Sequence, residues 1–254
     1  MKLRILGCSG GIGGNLRTTA MLLDHDVLID AGTGVGDLSL AEMRAIDHVF
    51  VTHSHLDHIA SIPFMLDSVG FMRDKPLIVH ATVETIAILK QHVFNWLIWP
   101  DFSEIPNAQQ PSLRYEIIEL GKTEDLGGRK ITPVPANHVV PAVGFHLESA
   151  NASLVFSGDT TVCNEFWNAV NRIDNLKYLL VETAFSNAEL ELAVMAKHFC
   201  PSLLAKDIVK LKHSPQVFIT HLKPGEAELI MQEISQCIPL VSPKMLQNGQ
   251  VFEL

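Results

Sequence analysis

The sequence predicts an α/β protein built as a four-layer αββα sandwich. Strand-like and helix-like segments alternate along the chain in two similar successions, a pattern typical of sheets covered by helices. No short-period repeat, low-complexity tract or linker separates them, so we expect one domain over residues 1–254, with two pseudo-equivalent halves that meet near 120–130. A chain of 254 residues with 47% hydrophobic residues is long enough to bury a large core.

In the first half, short apolar runs between turn residues predict strands, and apolar residues at helical spacing predict helices. The predicted strands are 3–6, 20–24, 27–30, 48–52 and 77–80, and the predicted helices are 38–45, a segment after residue 58, and 83–95. The glycine-rich stretch 7–14 is expected to form a tight turn, because its glycines do not follow the dinucleotide-binding spacing. The aromatic, proline-broken segment 96–112 is expected to pack on the core, with a lid or an interface as the alternative.

In the second half, strands dominate first and helices return later. The predicted strands are 114–119, 130–134, 143–148, 153–157, 178–181 and 217–220, and the predicted helices are 163–172, 188–197, 202–211 and 225–236.

Composition narrows the class of protein. The formal net charge of −9 argues against a protein that mainly grips a nucleic-acid backbone. The four cysteines are widely spaced and form no CxxC pair, which favours reduced thiols. Only a few apolar residues follow Met1-Lys2, and no apolar run reaches the roughly 18 to 20 residues that a membrane helix needs. We therefore expect a cytoplasmic protein that does not bind membranes.

One stretch, residues 52–58, carries three histidines and an aspartate directly after an apolar run. Imidazole and carboxylate are the ligands that zinc and similar metals take. His53 and His55 are two positions apart and point to the same side of an extended backbone, while Asp57 and His58 follow at the start of a helix. A loop of this kind can offer two pairs of ligands facing different ways, which suits two adjacent metal ions.

Three further candidates stand just past apolar runs, namely His138, Asp159 and His221. A carboxylate has two oxygens, so Asp159 can bridge two cations. The predicted ligands are His53, His55, His138 and Asp159 for the first metal, and Asp57, His58, Asp159 and His221 for the second. Taken singly, His138 could be a loop residue, Asp159 a helix N-cap and His221 a helix-entry residue. Six further histidines do not belong to such a series of candidate ligands, and we expect them at the surface or at the edge of the core: His25, His48, His80, His92, His146 and His213.

This series of residues resembles the metal-binding motifs of the metallo-β-lactamase superfamily over nearly the whole chain. The matching motifs are His53-Ser54-His55-Leu56-Asp57-His58, His138, Ser157-Gly158-Asp159-Thr160 and Thr220-His221. Within the superfamily, the chain is most similar to the class II cyclic-nucleotide phosphodiesterases. That similarity lies in 55–61, in 94–100, and in Val181-Glu182-Thr183-Ala184-Phe185 with Thr220-His221-Leu222-Lys223-Pro224.

The resemblance implies hydrolysis of cyclic AMP or cyclic GMP to 5′-monophosphates, with two divalent metals converting a water into the attacking hydroxide. Zinc is the default metal for a histidine-rich site, and Mn²⁺ or Fe²⁺ suit the same ligands. His198 is the candidate for assisting the phosphate or the leaving group, with Glu182 orienting it and Asp57 as a further catalytic residue. The alternative for His198 is a helix-end histidine that interacts with the helix dipole.

Other functions stay open at this point. The main rival is the tRNA 3′-processing endoribonuclease of the same superfamily, although Val181 replaces a histidine of its motif and no basic arm for tRNA is evident. A hydrolase of another small phosphodiester or ester is a further alternative. A catalytically silent binding subunit is disfavoured because all seven ligand positions are intact. The expected partner is a small phosphodiester substrate, and a homodimer is an open alternative.

Overall fold

The computed structural model describes residues 1–254 and contains two seven-stranded sheets. The strands are β1 Lys2–Gly7, β2 Ala20–Leu23, β3 Val27–Ala31, β4 His48–Phe50, β5 Leu77–Ala81, β6 Leu113–Ile117, β7 Glu124–Asp125, β8 Lys130–Pro135, β9 Val143–Glu148, β10 Ser153–Phe156, β11 Leu176–Glu182, β12 Gln216–Thr220, β13 Lys244–Met245 and β14 Val251–Glu253. The helices are α1 Leu40–Ala45, α2 Leu56–Ile59, α3 Ser61–Val69, α4 Val83–His92, α5 Asn164–Val170, α6 Leu190–Ala196, α7 Pro201–Ile208 and α8 Ala227–Cys237.

Each sheet is antiparallel at one side and parallel at the other. The first sheet has the order β14-β1-β2-β3-β4-β5-β6, and its strands from β3 to β6 are parallel. The second has the order β13-β12-β11-β10-β9-β8-β7, and its strands from β10 to β13 are parallel. The carboxyl ends of neighbouring parallel strands meet at one edge of a sheet, and loops at that edge bring distant residues together.

Three apolar layers hold the sandwich together. The inner layer lies between the two sheets, where Phe50 of β4 meets Phe145 of β9 edge to face at 5.9 Å between ring centroids. One outer layer packs the first sheet against α3 and α4, through side chains such as Ile62 and Leu89. The other packs the second sheet against α5, α7 and α8, around the buried Trp167. The predicted αββα sandwich is therefore confirmed.

Some helices end earlier than predicted, and three short strands are not among the predicted elements. The predicted helix 83–95 ends at His92, because the Asn95 side chain accepts hydrogen bonds from the backbone N–H groups of Leu97 and Ile98 and turns the chain. The predicted helix 188–197 ends at Ala196, because Lys197 adopts a left-handed φ of 51°. The short strands β7, β13 and β14 have no counterpart among the predictions, since each depends on pairing with a strand elsewhere in the chain.

The segment 96–112 divides into anchored and projecting parts. Phe102 is buried in the outer layer beside the first sheet, and Trp99 packs edge to face on Phe64. Trp96 and Ile98 are exposed, and Leu97 at the tip has 88% of its surface exposed. Packing on the core therefore accounts for only part of this segment.

The chain crosses from the first sheet to the second between β6 and β7. None of its helices has the length and hydrophobicity that a membrane-spanning segment requires.

Candidate metal centre

The histidine-rich loop connects β4 to α2 at the carboxyl edge of the first sheet. His53 is buried three positions past the end of β4, and His55 is the N-cap residue of α2 with an extended backbone. Asp57 and His58 lie in the single turn of α2, with His58 pointing into the protein and Asp57 partly exposed. The change from extended chain to helix within this loop turns the two pairs of side chains in different directions, as the spacing predicts.

The other three residues reach the same edge from the second sheet. Asp159 follows β10 through Gly158, whose φ of 62° and close approach to the Val143 carbonyl oxygen leave no room for a side chain. His221 follows β12 and has a left-handed φ of 62°, an uncommon conformation for a residue with a side chain. His138 stands in the loop after β8, where its Nδ1 donates to the Lys197 carbonyl oxygen at 3.1 Å.

The structure brings all seven predicted residues together in two groups that share Asp159. One group is His53, His55, His138 and Asp159, and the other is Asp57, His58, Asp159 and His221. Within each group the candidate ligand atoms lie within 4.8 Å of one another. In the shared region, Asp159 Oδ2 is 3.6 Å from His53 Nε2 and 3.4 Å from His58 Nε2.

The unpaired atoms of these groups fit divalent cations. His53 Nε2, His58 Nε2, His221 Nδ1 and Asp159 Oδ1 are all buried and have no hydrogen-bond partner within the protein. Buried polar atoms without a partner are rare because each costs roughly 1–3 kcal/mol. Divalent cations bound between these four atoms would give each of them a partner, which would explain why the atoms converge.

The protonation states of most of these ligands also suit metal binding, since a ligand must be unprotonated at the atom it offers. Burial lowers the pKa of His53 well below its usual value, and lowers that of His138 and of His221 to about 4. Burial alone would raise the pKa of Asp159, but the neighbouring His221 and His58 hold it well below the usual range. Asp159 is therefore a carboxylate, and the imidazoles of His53, His138 and His221 are neutral.

Asp30 contacts the candidate centre and is not among the residues that the sequence predicts. It is the last residue but one of β3, has a φ of 56°, is fully buried, and accepts hydrogen bonds from His58 Nδ1 at 2.7 Å and from Thr52 N at 2.8 Å. Burial favours a neutral His58, but the carboxylates of Asp159 and Asp30 raise its pKa well above the usual value. Asp30 thus orients His58 so that Nε2 faces Asp159. Its signal in the sequence is a carboxylate directly after the apolar run Val27-Leu28-Ile29.

We expect Asp30→Asn to weaken metal binding by about 10–100-fold, as loss of a residue that orients a ligand does. Both carboxylate oxygens of Asp30 accept hydrogen bonds, one from Thr52 N and the other from His58 Nδ1. In the asparagine variant the amide N–H₂ group would face one of these two donors, and that hydrogen bond would be lost. Metal affinity is measured by chelator competition on the purified protein. Asp24→Asn is the matched control, because Asp24 also has a left-handed φ but lies in the β2–β3 turn. Equal affinity in the two variants would contradict the orienting role.

Glu182 and His198 form a buried pair beside the two groups. Glu182 ends β11 and accepts from His198 Nδ1 at 2.7 Å and from Thr160 N at 3.0 Å. Burial raises the pKa of Glu182. Burial alone would lower the pKa of His198, but the Glu182 carboxylate raises the pKa of His198 above its usual value. The His198 ring lies 4.9 Å from that of His138 and 5.3 Å from that of His221, between centroids.

The remaining six histidines lie outside both groups. His25 and His92 are exposed, and His213 contacts the Asn171 carbonyl oxygen. The expectation of a surface or core-edge position is wrong for His80, which is buried between the sheets. It stacks on Phe50 at 4.1 Å and contacts His48 at 2.9 Å, because parallel pairing of β4 and β5 places the two histidines on one face.

An αββα sandwich with two adjoining His/Asp groups at one edge defines the class of metal-dependent hydrolases with the metallo-β-lactamase fold. A family model described as the β-lactamase superfamily domain matches residues 25–236. The chain belongs to this superfamily.

The sequence identity to individual relatives is low. A protein of Yersinia pestis named "probable 3′,5′-cyclic-nucleotide phosphodiesterase" is 24% identical over 76% of this chain, which spans 63% of that protein's length. The 3′,5′-cyclic-nucleotide phosphodiesterase of Schizosaccharomyces pombe is 24% identical over 84% of the chain and 70% of its own length. An endoribonuclease of Neurospora crassa is 30% identical over 52% of the chain, but the match covers only 17% of that protein.

Solved structures agree on the fold. Unliganded yeast PDE1 superposes with a TM-score of 0.82 at 19% identity, covering 100% of this chain and 99% of the other. The human short-form tRNase Z gives a TM-score of 0.69 at 16% identity, covering 100% and 99%.

Proposed function

We propose that this protein hydrolyses 3′,5′-cyclic nucleotides to 5′-monophosphates at a centre of two divalent metal ions. The observation that carries the proposal is the pair of His/Asp groups joined at Asp159, with four buried ligand atoms lacking any other partner. The choice of substrate is supported by the relatives named as cyclic-nucleotide phosphodiesterases, which match 76% and 84% of the chain.

In this proposal His53, His55, His138 and Asp159 hold one ion, and Asp57, His58, Asp159 and His221 hold the other. When bound, such ions polarise the phosphoryl oxygens and lower the pKa of water towards neutrality. Zinc is proposed because imidazole dominates the ligand set, and Mn²⁺ or Fe²⁺ suit it as well.

The residues around this centre have distinct proposed roles. Asp57 and His55 are the two ligands that are only partly buried. Asp57 has 30% of its side chain exposed, and its Oδ2 lies 3.7 Å from both His58 Nε2 and His221 Nε2. That position suits a carboxylate that accepts the proton of the attacking water. The water oxygen forms a bond to phosphorus while the bond from phosphorus to the 3′ oxygen breaks.

His198 supplies the proton that the departing 3′ oxygen needs. Its Nδ1 is held by Glu182, which leaves Nε2 for the substrate, and Glu182 favours the protonated imidazole that an acid requires. His198 is therefore proposed as both a substrate-binding and a catalytic residue, and Glu182 as the residue that positions it.

A second candidate function is 3′ processing of tRNA. It is favoured by the similarity to endoribonucleases and to the tRNase Z fold. The formal net charge of −9 argues against it, since nucleic-acid backbones are held mainly by cations.

A substrate panel separates the candidates. Purified protein loaded with Zn²⁺, Mn²⁺ or Fe²⁺ is assayed with cyclic AMP, cyclic GMP, bis(p-nitrophenyl) phosphate and a 3′-extended tRNA precursor. We expect turnover of the cyclic nucleotides with 5′-monophosphates as the products, and no cleavage of the tRNA. Cleavage of the tRNA alone would overturn the proposal, and so would 3′-monophosphate products.

A further inference from the structure

A cleft of about 620 Å³ opens beside the His/Asp group that contains His138, and segments that follow strands of both sheets line it. His138 is common to both features, because it lines the cleft and its Nε2 lies 3.2 Å from His55 Nδ1. Ile118 and Val143 of the inner apolar layer also line the cleft. Its volume falls within the range of small-molecule sites. A substrate held at the metal groups therefore meets this cleft on the side of His138.

The rim of the cleft is apolar and exposed. Val83, Ile117, Leu120 and Val139 are each between 50% and 58% exposed. They come from the start of α4, the end of β6 with the loop that follows it, and the loop after β8, so three separate parts of the chain converge to present them. Large apolar side chains gathered around a concave surface indicate a binding site. Such walls suit a flat, uncharged ring.

The charged residues that line the cleft indicate which kind of ring it favours. Its lining contains the exposed carboxylates Glu84 and Glu119 and no lysine or arginine. Lys122 approaches Glu119 to 3.9 Å from outside the lining. Carboxylates accept hydrogen bonds from N–H groups and repel phosphates. The cleft therefore favours an uncharged heterocycle with amino groups, and disfavours a chain with further phosphates.

We infer that this cleft is the subsite for the nucleobase of the substrate, an inference that rests on the proposed function. The cyclic phosphate lies at the metal groups, and a base with an exocyclic amino group enters the cleft past His138. Glu84 and Glu119 accept hydrogen bonds from the base, and the apolar rim covers its faces. The same carboxylates select a single cyclic nucleotide over a polymer, because flanking phosphates would lie beside them.

The test compares a substrate that has a base with one that lacks it. We expect the wild-type protein to show a higher kcat/KM for cyclic AMP than for ribose 3′,5′-cyclic phosphate. In the double variant Glu84→Gln/Glu119→Gln this ratio should fall about tenfold, the effect of losing about one charge-assisted hydrogen bond. In the same double variant, kcat/KM should fall less for cyclic UMP, which has no exocyclic amino group, than for cyclic CMP, which has one. Glu116→Gln, an exposed change on β6 outside the lining, should keep the wild-type ratio.

The possible failures are distinguishable. If the wild-type protein hydrolyses both substrates but the double variant keeps the wild-type ratio, the base subsite is wrong and the proposed function stands. If the wild-type protein hydrolyses neither cyclic phosphate, the proposed function fails and the subsite fails with it. Both substituted glutamates are exposed, so the fold is preserved, and a circular dichroism spectrum of each variant verifies this.

Discussion

Asp159→Ala is expected to remove both metal ions and to lower kcat/KM by about a thousandfold or more, since metal assistance is worth several kcal/mol of transition-state stabilisation. Asp159 belongs to both His/Asp groups, so its loss leaves each group without its negative charge at the shared position. The measurements are metal content by mass spectrometry after gel filtration, and turnover of cyclic AMP.

Two further variants sharpen this test. Asp159→Asn keeps the shape of the side chain and removes only the charge, so it should show the same loss of metal. Asp67→Ala, an exposed change on α3, should keep both metal and turnover. Unchanged metal content in Asp159→Ala would show that Asp159 bridges nothing.

His198→Ala is expected to keep both metals and to lower kcat for cyclic AMP by about 10²–10⁴-fold, the usual contribution of a general acid. His198 lies outside both ligand groups, which is why its loss should spare the metals. Bis(p-nitrophenyl) phosphate has a leaving group that departs without protonation, so its turnover should fall far less. The comparison of the two substrates is the measurement.

This difference between substrates identifies the role of His198. An equal loss on both would show that His198 acts on something other than the leaving group, and full activity on cyclic AMP would remove it from the mechanism. His92→Ala removes an exposed histidine at the end of α4 and serves as the matched control. Glu182→Gln should resemble His198→Ala in its substrate dependence, because Glu182 holds His198 Nδ1.

Much of the candidate centre could be predicted because its signals are local. His53, His55 and His58 lie within six positions, and a change from strand to helix between them is enough to aim them apart. His138, Asp159 and His221 were recognisable since each follows an apolar strand, and strand ends of one sheet meet at one edge.

Other parts of the centre had no local signal. Asp30 is 28 positions before His58, and only the parallel pairing of β3 and β4 brings the two side chains together. The Lys197 backbone carbonyl, which receives His138 Nδ1, lies 59 positions away. The pairing of β14 with β1 joins the two ends of the chain, and nothing in residues 251–253 alone indicates it.

The sequence by itself determined the alternation of elements, the sandwich and the identity of the seven candidate ligands. These depend on hydrophobic period and on residue type, which act over a few positions. Only the tertiary structure decided which side chains orient the ligands, how burial moves their pKa values, and where the cleft beside His138 opens. The physical reason is that burial and convergence are properties of segments far apart in sequence, and they exist only once the two sheets pack against each other.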